Sequence, residues 1–230
     1  MSEREYRQHS FQAPPGATEI LLVRHGESRA ASLENPFPLV DGHGDPELHP
    51  NGEEQARRVG ARLQHDPIKA VYVTNLQRTS QTAAPLCQHL ELEPIVEPDL
   101  REVFLGEWEG GLLRMKAAEQ DPVFLQMQAE QRWDVIPGAE SWQTLNQRVM
   151  SALHRIHQKH QNEMVVAVVH GGIIAHVVAH AVGARPFAFN GADNGSITHL
   201  VMMEQRILVR RFNDAAHLMD TLHDGSGQLT

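Results

Sequence analysis

Arg24 and His25, which together could handle a phosphoryl group, stand side by side at the end of an apolar run. A second arginine, Arg78, and a second histidine, His170, follow two other apolar runs. Guanidinium groups donate hydrogen bonds in a fork that fits the non-bridging oxygens of a phosphoryl group. A neutral imidazole can attack phosphorus, and a usual histidine pKa of about 6.5 leaves enough neutral ring near pH 7. The four residues therefore indicate chemistry on a phosphoryl group, with a histidine as the candidate nucleophile.

A phosphate ester also needs a proton donor for its departing alkoxide. Glu102, in the segment LREVFLGEWEG, is the candidate. A phosphate dianion raises the pKa of a neighbouring carboxyl group by like-charge repulsion, which keeps the proton available. Glu107 and Glu109 lie close by, and the alternative is that all three are exposed acids of a loop.

Glycine follows each of the two histidines: Gly26 comes after His25, and Gly171 and Gly172 come after His170. Residues without a side chain would let the backbone approach phosphate oxygens and donate its own N–H groups. We therefore expect the backbone of Gly171 to contact the substrate. Ser28 is a further candidate, and it either contacts the phosphate or caps a turn.

Strand-like and helix-like segments alternate along the chain. Continuous apolar runs at 19–23, 69–75 and 164–170 are typical of strands that are covered on both faces. Helical periodicity marks the segments 50–65, 78–90, 112–131, 141–160 and 173–182. This alternation predicts an α/β fold, a doubly wound and mostly parallel sheet flanked by helices. We also predict a helical insert at about 112–135 and an antiparallel edge strand, formed by ITHLVMM and ILVRRF near the end.

In such sheets, ligands bind beyond the carboxyl ends of the strands. Arg24 with His25 follows the first predicted strand, Arg78 the second and His170 the third. We therefore expect two arginines and two histidines to surround one crevice.

Two helices carry local signals of their own. Asn51 is a candidate N-cap of the helix at 50–65. Pro85 should kink the helix at 78–90 or mark its boundary, because proline lacks a backbone N–H group.

The sequence contains 15 histidines, so most of them have roles outside a catalytic site. His154, His157 and His160 recur every three residues near the end of a predicted helix, and we expect a solvated face there. His176 and His180 lie four apart, which is a spacing of metal ligands. The sequence offers them neither an HExxH pattern nor a third ligand, so we predict no metal site.

Composition excludes several classes of protein. The 230 residues can bury a large core, and 41% of them are hydrophobic. The formal net charge of −9 argues against a nucleic-acid partner. The sequence has neither the roughly 18 uninterrupted apolar residues of a membrane span nor a segment like a signal peptide. Cys87 is a single cysteine, so no intramolecular disulfide is expected, and the predicted location is the cytoplasm.

We predict one globular domain, residues 18–213, between a flexible N-terminal arm at 1–17 and a C-terminal tail at 214–230. The last residues, 223–230, are expected to be disordered. The expected partner is a small phosphorylated substrate. A homodimer is an open alternative to a monomer, since dimers are common among soluble enzymes.

Four motifs, LVRHGES, TNLQRTSQTA, LREVFLGEWEG and VVHGG, occur in an order that resembles the histidine phosphatase superfamily, also called the phosphoglycerate mutase-like family. The resemblance runs from about residue 19 to about residue 212. It implies that His25 is a nucleophile that becomes covalently phosphorylated. It implies that Arg24, Arg78 and His170 form the phosphate pocket and that Glu102 is the proton donor and later the general base. It also implies that the protein needs neither a metal nor another cofactor.

This sequence departs from the family pattern at several positions. Members often have an asparagine where Ala31 stands, and many have an arginine where Ala175 stands. The segment 29–44 is longer and richer in proline than usual. We expect this loop to line the mouth of the site and, with the insert at 112–135, to set the choice of substrate.

The predicted function is that of a phosphomonoesterase, a metal-independent histidine acid phosphatase-type hydrolase of a small phosphorylated metabolite. The first alternative is a cofactor-dependent phosphoglycerate mutase, whose relatives have a stretch like LNERHYG around the acid. Because this chain has LREVFLGEWEG there, the phosphatase branch is favoured. The second alternative is a module that binds phosphorylated ligands without turnover, and the complete set of candidate catalytic residues argues against it.

Overall fold

A mixed sheet of six strands forms the centre of the molecule, in a computed structural model that describes residue 6 and residues 8–219. In chain order the strands are β1 (Thr18–Arg24), β2 (Leu39–Val40), β3 (His43–Gly44), β4 (Ile68–Val73), β5 (Ile95–Val96), β6 (Met164–Val169), β7 (Ile197–Met203) and β8 (Arg206–Asp214). The central sheet has the order β5-β4-β6-β1-β7-β8, while β2 and β3 pair with each other as a separate hairpin. Strands β5, β4, β6 and β1 are parallel, and β7 and β8 are antiparallel to their neighbours. The predicted α/β fold with an antiparallel edge is thus confirmed.

Helices cover both faces of this sheet. They are α1 (Pro50–Leu63), α2 (Gln77–Leu90), α3 (Leu112–Ala118), α4 (Pro122–Glu130), α5 (Trp142–Lys159) and α6 (Gly171–Val182). Side chains of β1 alternate between the faces: Ile20 and Leu22 pack with α5 and α6, whereas Leu21 and Val23 pack with α1 and α2. Burying an aliphatic side chain contributes roughly 1.5–3 kcal/mol, so this alternation holds β1 firmly in its register. Helices α3 and α4 form the predicted insert.

The three strands that precede the motif residues are neighbours in the order β4-β6-β1. Parallel pairing aligns Arg24 at the end of β1 with Val169 at the end of β6. The backbone N–H of His25 donates to the carbonyl of Val169 at 3.0 Å. The chain therefore leaves all three strands at one edge of the sheet.

One expectation about helix ends was wrong, and a second was wrong in part. The N-cap of α1 is His49, whose Nδ1 accepts the N–H of Asn51 at 3.2 Å. Pro85 lies inside α2, which continues from Gln77 to Leu90, so Pro85 does not mark a boundary, while the predicted kink stays a prediction. Pro85 packs closely against Gly60 of α1. We attribute the unbroken helix to this packing, which offsets the backbone hydrogen bond that proline removes.

The predicted solvated face of histidines was also wrong for two of its three members. His154 is exposed, but His157 and His160 are only 4% and 7% exposed. The Nδ1 atom of His157 lies 2.9 Å from the hydroxyl of Thr18, and Nε2 of His160 lies 2.9 Å from that of Tyr72. Positions three apart on a helix are displaced by about 60° around its axis, so successive histidines turn from solvent into the sheet.

The predicted domain boundaries stay predictions. Strand β8 ends at Asp214, and a short helical turn follows at Ala216–Leu218. Its last carbonyl, that of Leu218, accepts from Arg58 of α1 at 3.0 Å. The expected disorder at 223–230 concerns residues outside the described part. Within the described part, no helix is both long and apolar enough to span a membrane.

Candidate active site

His25 lies directly after β1, and its side chain is only 5% exposed. Its Nδ1 atom lies 2.7 Å from the carbonyl oxygen of Gly26, and Nε of Arg78 donates to its Nε2 at 3.2 Å. A carbonyl oxygen can only accept, so the proton of the neutral ring is on Nδ1. The atom that carries the free electron pair is therefore Nε2, which faces the guanidinium of Arg78.

Burial is the main influence on the protonation of His25. It lowers the pKa of His25 well below the usual 6.5, and the charges of Arg78 and Arg24 lower it further. The ring consequently stays neutral in mildly acidic solution. Asn194 donates from Nδ2 to the carbonyl of His25 at 2.8 Å, which anchors the backbone at this position.

Two guanidinium groups flank this imidazole. Nη1 of Arg24 donates to the carbonyl of Ala192. Nη1 of Arg78 donates to the carbonyl of Gly44 at 2.9 Å. Burial lowers the pKa of Arg78 to about 10, so Arg78 remains a cation at neutral pH. Nε of Arg24 is a buried atom without a hydrogen-bond partner among the described residues.

His170 lies directly after β6 and is completely buried. Its ring centroid is 5.1 Å from that of His25, and its Nε2 is 3.1 Å from the hydroxyl of Thr74 after β4. Burial, then the charge of Arg78, lowers the pKa of His170 well below the usual 6.5. Within the described chain, its Nδ1 is buried and has no hydrogen-bond partner. When Nε2 accepts from Thr74, this Nδ1 carries a proton that a ligand can accept.

Glu102 lies in the loop before α3 and approaches the start of α6. Its Oε1 accepts the N–H of Val103 at 2.9 Å, and its Oε2 accepts the N–H of Gly172 at 3.4 Å. Burial raises the pKa of Glu102 above the usual 4.5, although these hydrogen bonds and the two arginines oppose the shift. A Cβ atom at position 172 would lie 2.6 Å from Oε1. Glycine at 172 is what allows the carboxyl group to come so close.

Arg114 of the insert is a third cation at this site, and sequence reasoning missed it. Its Nη2 donates to the hydroxyl of Ser28 at 2.7 Å, and its Nη1 donates to the carbonyl of Arg29 at 3.0 Å. The charge of Arg114 contributes to lowering the pKa of His25, so the two groups are within electrostatic reach. The only sequence signal was that Arg114 belongs to the insert expected to set the choice of substrate.

The glycines after the histidines do different things. A Cβ at Gly26 would lie 2.4 Å from the backbone oxygen of Gly52. Gly26 thus lets α1 approach β1, which corrects the expectation that it makes room for phosphate. Gly171 begins α6 beside the guanidinium of Arg24, since its Cβ would be 3.3 Å from Nε. The N-terminus of a helix attracts anions, and the contact of Gly171 with the substrate stays a prediction.

A family model described as the histidine phosphatase superfamily, branch 1, matches residues 20–215. The chain belongs to this superfamily. It is 34% identical over 218 residues to phosphoglycerate mutase-like protein 4 of Arabidopsis thaliana, covering 91% of each chain. It is 29% identical over 225 residues to the metal-independent phosphoserine phosphatase of the same plant, covering 94% of this chain and 90% of the relative. The solved structure of Bacillus stearothermophilus YhfR superposes with a TM-score of 0.74 at 25% identity, covering 88% of this chain and all of the other.

In this member of the superfamily, Ala31 faces Gly111, the residue before the insert. A Cβ at Gly111 would lie 2.9 Å from the Cβ of Ala31, so glycine at 111 is what allows the two segments to come this close. Arg114 of the same insert supplies a polar group to Ser28 nearby. The insert and the first motif are therefore fitted to each other.

His176 and His180 do not form part of this site. Their rings are stacked with centroids 6.5 Å apart, and Nε2 of His176 lies 3.1 Å from Oδ1 of Asn146. In the described part of the chain, we find no cluster of three or more His, Cys, Asp or Glu side chains that could hold a metal ion. That this chain works without a metal stays a prediction.

Proposed function

We propose that this chain is a metal-independent phosphomonoesterase that transfers a phosphoryl group from a small metabolite to Nε2 of His25 and then to water. The observation that carries the proposal is the hydrogen bonding of His25. Its Nδ1 faces the carbonyl of Gly26, and its Nε2 faces the guanidinium of Arg78. An imidazole held in this tautomer, with a lowered pKa, has the electron pair that a nucleophile needs.

In the first step, the phosphoryl group of the substrate accepts hydrogen bonds from Arg24, Arg78 and Nδ1 of His170. The buried and unpartnered atoms of Arg24 and His170 in the described chain support this role, because a buried polar atom is costly unless it is paired. Nε2 of His25 attacks phosphorus while the bond to the leaving oxygen breaks. The arginines stabilise the charge on the equatorial oxygens. Glu102 gives its proton to the departing alkoxide.

In the second step, Glu102 acts as a base. Its carboxylate takes a proton from water, whose oxygen attacks phosphorus as the N–P bond breaks. Inorganic phosphate leaves, and the protons and the imidazole return to their starting state. The raised pKa of Glu102 supports both roles, because a group that gives and takes a proton works best when its pKa lies near the working pH.

The relative named metal-independent phosphoserine phosphatase supports hydrolysis, and makes phosphoserine the first substrate to assay. The relative named phosphoglycerate mutase-like protein 4 keeps the mutase as the second candidate. Transfer to a second substrate would require the phosphoenzyme to be kept from water.

One set of assays tests the proposal. Purified protein, with a chelator present, should release inorganic phosphate from p-nitrophenyl phosphate and from phosphoserine, and rapid-quench mass spectrometry should find PO3 on the peptide of His25. Conversion of 3-phosphoglycerate to 2-phosphoglycerate, with and without 2,3-bisphosphoglycerate, separates the mutase. Binding of phosphate without any turnover would favour the binding module. Strict dependence on added magnesium would overturn the mechanism.

A further inference from the structure

The short hairpin of β2 and β3 holds Arg78 in place. The carbonyl of Gly44 accepts from Nη1 of Arg78 at 2.9 Å, and Oδ1 of Asp45 lies 3.8 Å from the same atom. Arg78 and Asp45 are each only 6% exposed. Oδ1 of Asp45 also accepts the N–H of Gln77, the first residue of α2, at 2.8 Å. Contacts with Gly44 and Asp45 therefore fix the orientation of this guanidinium, in addition to the position of Arg78 on its own helix.

A single carboxylate connects the same hairpin to the loop of Glu102. Oε2 of Glu109 accepts the N–H of Gly44 at 2.7 Å, and Oε1 accepts the N–H of Leu105 at 2.9 Å. Gly44 is thus bonded to Glu109 through its N–H and to Arg78 through its carbonyl. Leu105 is three residues beyond Glu102. Glu109 consequently bridges the segment that holds the phosphate-binding arginine and the segment that carries the proton donor.

On the basis of the proposed function, we propose that Glu109 is a positioning residue that couples Arg78, which binds the phosphate, to Glu102, which protonates the leaving group. The two oxygens of a carboxylate are suited to this bridge because both only accept hydrogen bonds. In Glu109→Gln, an NH2 group would face one of the two N–H donors. Glu109 would then lose one of its two hydrogen bonds, and the hairpin and the loop of Glu102 would be free to shift relative to each other.

The coupling predicts that two separate kinetic quantities change together in Glu109→Gln. The first is the inhibition constant of inorganic phosphate, which reports on Arg78. The second is the ratio of kcat/KM for p-nitrophenyl phosphate to that for phenyl phosphate, which reports on Glu102, because phenolate needs a proton more than p-nitrophenolate does. Misplacement of a catalytic group by about 1 Å can cost about 100-fold, so we expect each quantity to rise about 10-fold or more.

Three further variants separate the parts of this effect. Asp45→Asn alters a residue near Arg78 and leaves Glu109 and Glu102 intact. It should therefore raise the inhibition constant of phosphate and leave the ratio of kcat/KM for the two aryl phosphates unchanged. Glu107→Gln alters an exposed acid of the same loop and should leave both quantities at the wild-type value. Glu109→Asp keeps both oxygens on a shorter side chain and should recover part of the loss. If Glu109→Gln is too unstable to assay, the same joint shift, smaller in size, is expected in Glu109→Asp.

A joint rise in Glu109→Gln, with Glu107→Gln unchanged, supports the coupling. A folded Glu109→Gln with both quantities at the wild-type value overturns it, even if the melting temperature has fallen, because Glu109 would then only stabilise the fold. A change in only one of the two quantities also overturns it. If the wild-type protein hydrolyses neither aryl phosphate, the proposed function itself has failed, which is a different result from a failure of the bridge.

Discussion

The two halves of the candidate site are positioned in different ways. His25 and His170 directly follow neighbouring parallel strands, and the backbone pairing of β1 with β6 carries them to adjacent places. Glu102 lies in a loop outside the sheet. Its place depends on long-range contacts of side chains with the backbone. The contrast shows that the nucleophile half follows from strand register, whereas the acid half depends on residues distant in the chain.

Arg148 of α5 is the main support of the acid half. It donates from Nη1 to the carbonyls of Asp99 and Arg101 at 2.7 and 2.8 Å, and from Nη2 to that of Glu102 at 3.0 Å. Its Nε also donates to Glu140 at 3.0 Å. Guanidinium donors thus replace the regular backbone hydrogen bonds that the loop lacks.

The largest expected effect on the rate comes from a variant of the nucleophile half, His25→Ala. His25→Ala removes the atom that receives the phosphoryl group, and loss of a nucleophile can cost on the order of 10⁶-fold in kcat. Phosphate release from p-nitrophenyl phosphate should fall to background while the circular dichroism spectrum is unchanged. Substantial turnover by this variant would exclude a phosphohistidine on position 25.

Glu102→Gln should have the next largest effect, and it should depend on the substrate. An amide cannot supply the proton, and general acid catalysis typically contributes about 10²–10⁴-fold. The loss should approach that range for phenyl phosphate and be much smaller for p-nitrophenyl phosphate. Steady-state kinetics with the two substrates measure it, and equal losses on both would assign the proton to another group.

Arg148→Met tests whether Arg148 holds the acid half in place, and the quantity measured is the stability of the protein. It removes the donors to the loop and leaves the carboxylate of Glu140, whose side chain is 8% exposed, without its charged partner. Breaking a buried pair in this way costs about 3–5 kcal/mol. Chemical denaturation gives the free energy of unfolding.

The control is Arg155→Met on the same helix, which removes the ion pairs of a half-exposed guanidinium with Glu97 and Asp99. Exposed pairs contribute about 0–1 kcal/mol, so this variant should be close to wild type in stability. Equal costs for the two variants would contradict the assigned role of Arg148.

The smallest expected effect is the dependence of the rate on pH, in which each half of the site should produce one limb of the profile. His25 must be neutral, and its pKa is lowered below 6.5, so activity should fall only as the pH drops through that lowered value. Glu102 must be protonated, and its pKa is raised above 4.5, so activity should fall as the pH rises through that raised value. Profiles of kcat/KM between about pH 4 and about pH 9 should be bell-shaped. In Glu102→Gln the limb on the alkaline side should disappear, and an acidic limb centred above 6.5 would contradict the assignment to His25.

The fold and the nucleophile half could be predicted because their signals are local. Apolar runs mark β1, β4 and β6, and chemistry-bearing residues follow each run. Arg114 and Glu109 could not be assigned in this way, because their contacts join segments that are distant in the sequence. The histidines of α5 show the same limit: a spacing of three predicts a face of the helix, but neighbouring elements decide which part of that face is buried.

The amino-acid sequence by itself determined the alternation of strands and helices, the strand ends that carry Arg24, His25, Arg78 and His170, and the superfamily. These follow from periodicity and from residue type, which are properties of short segments. The tertiary structure alone decided the tautomer of His25, the approach of Glu102 to Gly172, and the bridge of Glu109 between two loops. Glu102 and Glu109 reach Gly172 and Gly44 by hydrogen bonds across 70 and 65 residues. His25 contacts the carbonyl of the next residue and accepts from Arg78, which is 53 residues away. Contacts of this kind have a definite geometry only after the sheet and its helices have packed.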